Sequence, residues 1–114
     1  MIARVWHGVT LAEKADQYLD YLKATGVKEI SATEGNQGVQ VLRQIKREHA
    51  EFLFISFWES WDAIRRFAGD DVNTAVYYPE DKEFLLALEP QVAHYEVGVQ
   101  LIAPANASST QTQG

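Results

Sequence analysis

The sequence predicts an α+β fold of the ferredoxin-like type, β-α-β-β-α-β, with its second helical region broken in two. Three observations predict it. Two strand-like apolar segments, 38–45 and 51–58, are separated only by the polar run KREH, which reads as an antiparallel hairpin. An amphipathic helical segment precedes that hairpin and another follows it. A further strand-like segment stands at each end, 2–9 and 92–99. Strand, helix, hairpin, helix, strand is the split β-α-β motif.

Each element has a local reason. In IARVWHGV (2–9), Ala3, Val5, His7 and Val9 share one side; Ile2, Arg4 and Trp6 share the other. Both sides carry bulk, as in a strand covered on both faces. Over 11–25, Ala12, Ala15, Tyr18, Leu19 and Leu22 make one apolar stripe. Thr10 with Glu13 forms a predicted capping box, and Gly26 stands at the predicted C-cap. Residues 27–37 read as a loop. The strand 51–58, EFLFISFW, is nearly all apolar and so central. Ser60 is the predicted N-cap of a helix over 61–68 carrying Trp61, Ile64, Phe67 and Ala68 on one face. Gly69 ends or kinks it, and 71–77 is expected to resume the helix. Pro79, Glu80 and Asp81 suit a first helical turn. Phe84, Leu85 and Leu88 would then form the stripe, with Pro90 ending it.

The chain of 114 residues holds one domain, expected over 1–103. The tail 104–114, PANASSTQTQG, is small and polar and is expected to stay disordered. A net charge of −6 argues against nucleic acid or an anionic membrane as partner. No apolar run reaches the ~20 residues a membrane helix needs. The N-terminus has no signal-peptide pattern. The expectation is a soluble, cytoplasmic protein. With no cysteine, disulfides and thiolate metal sites are excluded. The three histidines are too scattered for a metal site, and no nucleophile elbow or phosphate loop is present.

Several side chains carry possible chemistry. His7 reads either as a pocket imidazole, a base near neutral pH, or as a core histidine bonded to a carbonyl. Phe67 and Tyr77, ten residues apart on a broken helix, can flank one cavity. The hydroxyl of Tyr77 or Tyr78 can donate to a ligand oxygen. Trp58 and Trp61 are first of all packing, with one of them a candidate for the pocket mouth. Trp6 faces away from His7 and is assigned to a subunit interface. Arg4 is expected to pair with Glu96 or another strand acid inside the dimer. His94 reads as structural and His49 as solvated.

The stretches MIARVWHG, FWESWDAIRRFAGDD, VYYPEDKEFLLALEP and HYEV resemble the antibiotic biosynthesis monooxygenase family of dimeric α/β barrels. The resemblance covers residues 1–98. It implies a homodimer in which two four-stranded sheets pack into a barrel, each subunit holding a pocket between sheet and helices. It further implies a monooxygenase that needs no cofactor and acts on a small aromatic or quinol-type ligand. His7 and Tyr77 would then be the catalytic pair, with Phe67, Trp61, Trp58 and Tyr78 binding the substrate. Two alternatives are a non-catalytic ligand-binding barrel and a haem-binding or haem-degrading protein. In the haem degraders an asparagine, a tryptophan and a ligand histidine stand where this chain has His7, Phe67 and Tyr77. Tyrosine can ligate haem iron, but all three departures weigh against that route.

Overall fold

Two ten-residue strands set the architecture. β1 (Ile2–Leu11) runs antiparallel to β3 (His49–Trp58), from the pair Ile2↔Trp58 to the pair Leu11↔His49. β2 (Asn36–Lys46) pairs with the other edge of β3 across a turn at Arg47 and Glu48. The short β4 (Ala93–Glu96) pairs only with Ile2–Val5 of β1. The sheet order is β2-β3-β1-β4, every pairing antiparallel. This is the expected α+β, ferredoxin-like arrangement. The computed structural model describes residues 1–103; the tail 104–114 lies outside the described residues.

Alternation along β3 shows which face is covered. Ala50, Phe52, Phe54, Ser56 and Trp58 are buried, whereas Leu53, Ile55 and Phe57 are only half-buried. The buried face meets α1 (Ala15–Ala24), through Ala15, Tyr18 and Leu22, and α2 (Gly26–Ser31), through Gly26 and Ile30. It also meets α3 (Trp61–Ala68), through Ala63 and Ile64. Ser60 caps α3 as predicted, its hydroxyl accepting from the Ala63 amide at 3.1 Å. Gly69 ends it at φ 86°, a left-handed conformation that glycine adopts freely.

Several local expectations are corrected. Thr10 caps no helix. It is a fully buried strand residue, because β1 stays extended to Leu11 and the Ala12 amide bonds to the Glu48 carbonyl at 2.7 Å. One 3-10 turn, Ala12–Lys14, then leads into α1. Gly26, the predicted C-cap, instead opens α2, and that helix occupies the start of the loop expected over 27–37. Gly26 lies so close to Phe54 that an added Cβ would stand 3.2 Å from that ring. The helix expected from Pro79 reduces to a 3-10 turn, Asp81–Glu83, and 71–77 forms no helix. Backbone competition explains this. The Leu86 amide bonds to the Val9 carbonyl of β1, while Ala75 and Val92 donate to Pro90 and Asn73 across the segment. Residues 69–92 therefore form an irregular strap over the sheet. The strand expected over 92–99 shortens to β4. Among the described residues no helix is long and apolar enough to cross a membrane.

Candidate functional site

Between the strap, the helices and the sheet lies a cavity of about 50 Å³. Its floor is the helix-facing side of β1 and β3: Arg4, Trp6, Phe54 and Ser56. Tyr18 and Leu22 come from α1, Ile30 from α2 and Phe67 from α3. The strap contributes Val76, Tyr77, Tyr78, Asp81 and Val92.

Two charged groups stand in this aromatic surround. Arg4 is 4% exposed. Among the described residues no carboxylate pairs with it. Its guanidinium donates to the carbonyls of Val72 and Thr74, the latter at 3.0 Å, and lies over the Phe67 ring. Desolvation lowers its pKa to about 10, so it remains a cation at neutral pH. Within one subunit Arg4 does not pair with Glu96, which is exposed on edge strand β4. Arg4 also contacts Nε2 of His94 at 3.2 Å. A guanidinium can only donate, so Nε2 accepts and the His94 proton sits on Nδ1. Burial, then the Arg4 charge, lowers the pKa of His94.

Asp81 is 3% exposed and, among the described residues, is the only carboxylate lining the cavity. It accepts the Tyr18 hydroxyl at 3.0 Å and the Tyr78 amide at 2.6 Å. Desolvation raises its pKa above the usual carboxylate range, against the lowering effect of those two bonds. Tyr77 donates to the Glu89 carbonyl at 2.5 Å and accepts the Trp6 indole N–H at 3.3 Å. Burial raises the Tyr77 pKa.

The sequence-predicted residues divide between places. Phe67, Tyr77 and Tyr78 line one cavity. Tyr78 turns its hydroxyl outward to Glu29. Trp58 is fully buried core: it stacks on Phe67 and donates to the Ser56 hydroxyl at 2.8 Å. Trp61 is 43% exposed and packs edge-on against His94. His7 does not share the cavity of Phe67 and Tyr77. It lies on the opposite, open face of the sheet, between Glu51 and Glu89 at 2.8 and 2.7 Å. The parity of β1 was legible, but which side the helices cover was not. Trp6, assigned to an interface, is in fact a cavity wall. Arg4 and Asp81 were missed as cavity residues. Arg4 shares its parity with Trp6, and that was the available signal; Asp81 read as an ordinary first-turn acid.

The profile of the antibiotic biosynthesis monooxygenase family matches residues 9–74, more than half of the chain. Solved structures share the fold. One is a Bacillus cereus protein provisionally described as an antibiotic biosynthesis monooxygenase, at 16% identity and TM-score 0.62, covering 90% of this chain and 97% of that one. Another is the haem degrader MhuD of Mycobacterium tuberculosis with two haems in its active site, at 18% identity and TM-score 0.55, covering 89% and 99%. A third is an arginine-to-serine variant of MhuD with two manganese protoporphyrins per active site, at 18% identity and TM-score 0.56, covering 90% and 100%. No curated protein matches the chain in a sequence search. The chain belongs to the antibiotic biosynthesis monooxygenase family.

Proposed function

We propose that the protein binds a small, flat, acidic aromatic molecule of the phenol or hydroquinone class between sheet and strap, and oxidises it with dioxygen without a resident cofactor. One observation carries the binding half: Arg4, a buried guanidinium with no carboxylate partner among the described residues, in a cavity walled by aromatic rings. A buried cation without a counter-ion favours the anionic form of whatever enters. Arg4 thus takes the anion-binding role that sequence reasoning gave to His7. Asp81, desolvated and so more basic than an exposed carboxylate, is the proton acceptor. Trp6 and Phe67 sandwich the ring, and Tyr77 closes the cavity. Family membership supports the oxidative half. The bound anion passes an electron to dioxygen, and the radical pair joins to a peroxide. A phenol and dioxygen then give a quinone and water: one oxygen atom becomes the new carbonyl, the other leaves as water.

At about 50 Å³ the cavity is smaller than the ~150 Å³ that holds benzene in an engineered apolar site. The strap must therefore swing outward to admit a ligand. Against a porphyrin stands the Tyr77 hydroxyl, which is already engaged twice, by the Trp6 indole N–H and the Glu89 carbonyl. Titration with haemin checks this: no shifted Soret band is expected.

The open face of the sheet carries half-buried Val5, Leu53, Ile55 and Phe57, with Leu42 47% and Tyr95 60% exposed. Beyond β4, Val99 and Leu101 are 88% and 92% exposed. We propose a homodimer in which a second copy covers this face, sheet against sheet.

Oxygen uptake with a panel of phenols, hydroquinones and anthrones tests the activity. Affinity is measured without oxygen. Arg4→Gln is expected to weaken binding ~10- to 100-fold, the scale of one charged hydrogen bond. Arg4→Lys should weaken it less. Unchanged affinity in Arg4→Gln would remove the proposal.

A further inference from the structure

We infer that His7 is a positioning residue: from the open face of the sheet it fixes Glu89, and through Glu89 it holds Tyr77 over the cavity. The consequence for ligands rests on the function proposed above; the connection itself does not.

The path is short. β4 covers β1 only as far as Val5, so beyond that point the strap takes the edge of β1. There Leu86 donates to the Val9 carbonyl at 2.9 Å, and Leu85 bridges to Thr10. Glu89 lies just beyond, where the two faces of the sheet meet. Its side chain reaches His7 Nδ1 on the open face at 2.7 Å. Its carbonyl accepts the Tyr77 hydroxyl at 2.5 Å, and Tyr77 accepts the Trp6 indole N–H at 3.3 Å on the cavity face. Neighbouring residues of β1, with side chains on opposite faces, are thus joined around the edge through two residues of the strap.

The protonation state of His7 decides whether this holds. Both ring nitrogens face carboxylates: Nε2 meets Glu51 at 2.8 Å, as Nδ1 meets Glu89. A neutral imidazole donates from one nitrogen only, and the other would turn its lone pair on a carboxylate. Only the imidazolium satisfies both. On deprotonation one carboxylate must leave. Glu51 is fixed in central strand β3, paired to Val9. Glu89 is on the irregular strap, so its carboxylate leaves, and the backbone carbonyl that anchors Tyr77 is freed to shift with the strap. The other charged or titratable side chains lining this point, among the described residues, are Lys46 of β2 and His49 of β3. They line a cleft of about 310 Å³ with Glu51 and Glu89, and Lys46 can receive the released carboxylate. Burial lowers the pKa of His7 and is the largest single effect. The hydrogen bonds and charges of Glu51 and Glu89 together outweigh it, and the pKa is raised.

A ligand-free pH titration of the full chain by ¹H–¹⁵N NMR tests the inference. The Trp6 indole resonance is expected to shift with the midpoint of the His7 imidazole, above the ordinary ~6.5. The indoles of Trp58 and Trp61 should not follow it. Burial shifts His94 down and Tyr77 up from their ordinary values, away from the His7 transition on either side, so neither imitates it. His7→Gln should abolish the Trp6 transition. Glu89→Gln keeps the carbonyl that Tyr77 needs but removes a charge, and should move the midpoints of His7 and Trp6 down together. A Trp6 indole that ignores His7 in the wild type overturns the inference. So does one that holds its wild-type midpoint in Glu89→Gln while that of His7 moves. No ligand is present, so failure here leaves the proposed ligand site standing.

Discussion

At the scale of single residues, β1 shows how much one side chain decides. Trp6 lies over Gly8, where an added Cβ would stand 2.3 and 2.7 Å from the indole ring. Gly8→Ala must push that ring toward Tyr77 and the cavity. The expected cost is ~1–3 kcal/mol, the usual scale of overpacking, read by urea denaturation together with a changed tryptophan emission. Unchanged stability and emission would mean that the indole does not rest there. His94 gives a second prediction. Its folded pKa lies below the unfolded value of about 6.5, so the unfolded chain binds the proton more readily. The contribution of His94 is complete above about pH 6.5 and is lost as pH falls through its lowered folded pKa. His7 works in the opposite sense. Its raised folded pKa gives stability that is complete below about 6.5 and is lost as pH rises through that raised value. Replacing His94 by Gln should flatten the acid side of a Tm-versus-pH curve, and His7→Gln the neutral-to-alkaline side. Both sides unaffected would contradict the assigned environments.

At the scale of elements, the strap and the sheet should differ in mobility. β1 and β3 pair over ten residues and bury most of their helix-facing side chains. The strap has one 3-10 turn, two isolated bridges and a few side-chain ties. Amides of residues 69–92 are expected to exchange with solvent well before those of β1 and β3; equal protection would argue against a strap that opens. Ser60→Ala should cost ~1 kcal/mol through loss of the α3 cap. These elements were unequally legible in sequence. The hairpin of β2 and β3, the start of α3 and the stop at Gly69 follow from local chemistry: alternation, a serine cap, a glycine. The strap does not. Its sequence has a helical stripe in Phe84, Leu85 and Leu88, but Leu86 gives its amide to β1 and Leu88 is left 47% exposed. Tertiary hydrogen bonds overrode local propensity there, and no local pattern announces them. Likewise, both sides of β1 carry bulk, so alternation separated His7 from Trp6 without telling which side faced the helices.

At the scale of the whole molecule, the two faces of the sheet have different work in this account. The helix side encloses an aromatic cavity with a buried guanidinium and a buried carboxylate; the open side offers an apolar surface to a second copy. Sedimentation equilibrium should give a dimer, and Ile55→Glu, at the centre of the open face and paired with Val5 and Gln40, should shift it toward monomer. A monomeric wild type would contradict the barrel. The most direct test of the central claim is an oxygen-free NMR titration of the full chain with an acidic phenol. Shifts are expected at Arg4, the Trp6 indole, Phe67 and Asp81, with Val5, Leu53 and Ile55 unmoved. Shifts confined to the open face, or none at the Arg4 guanidinium, would contradict it.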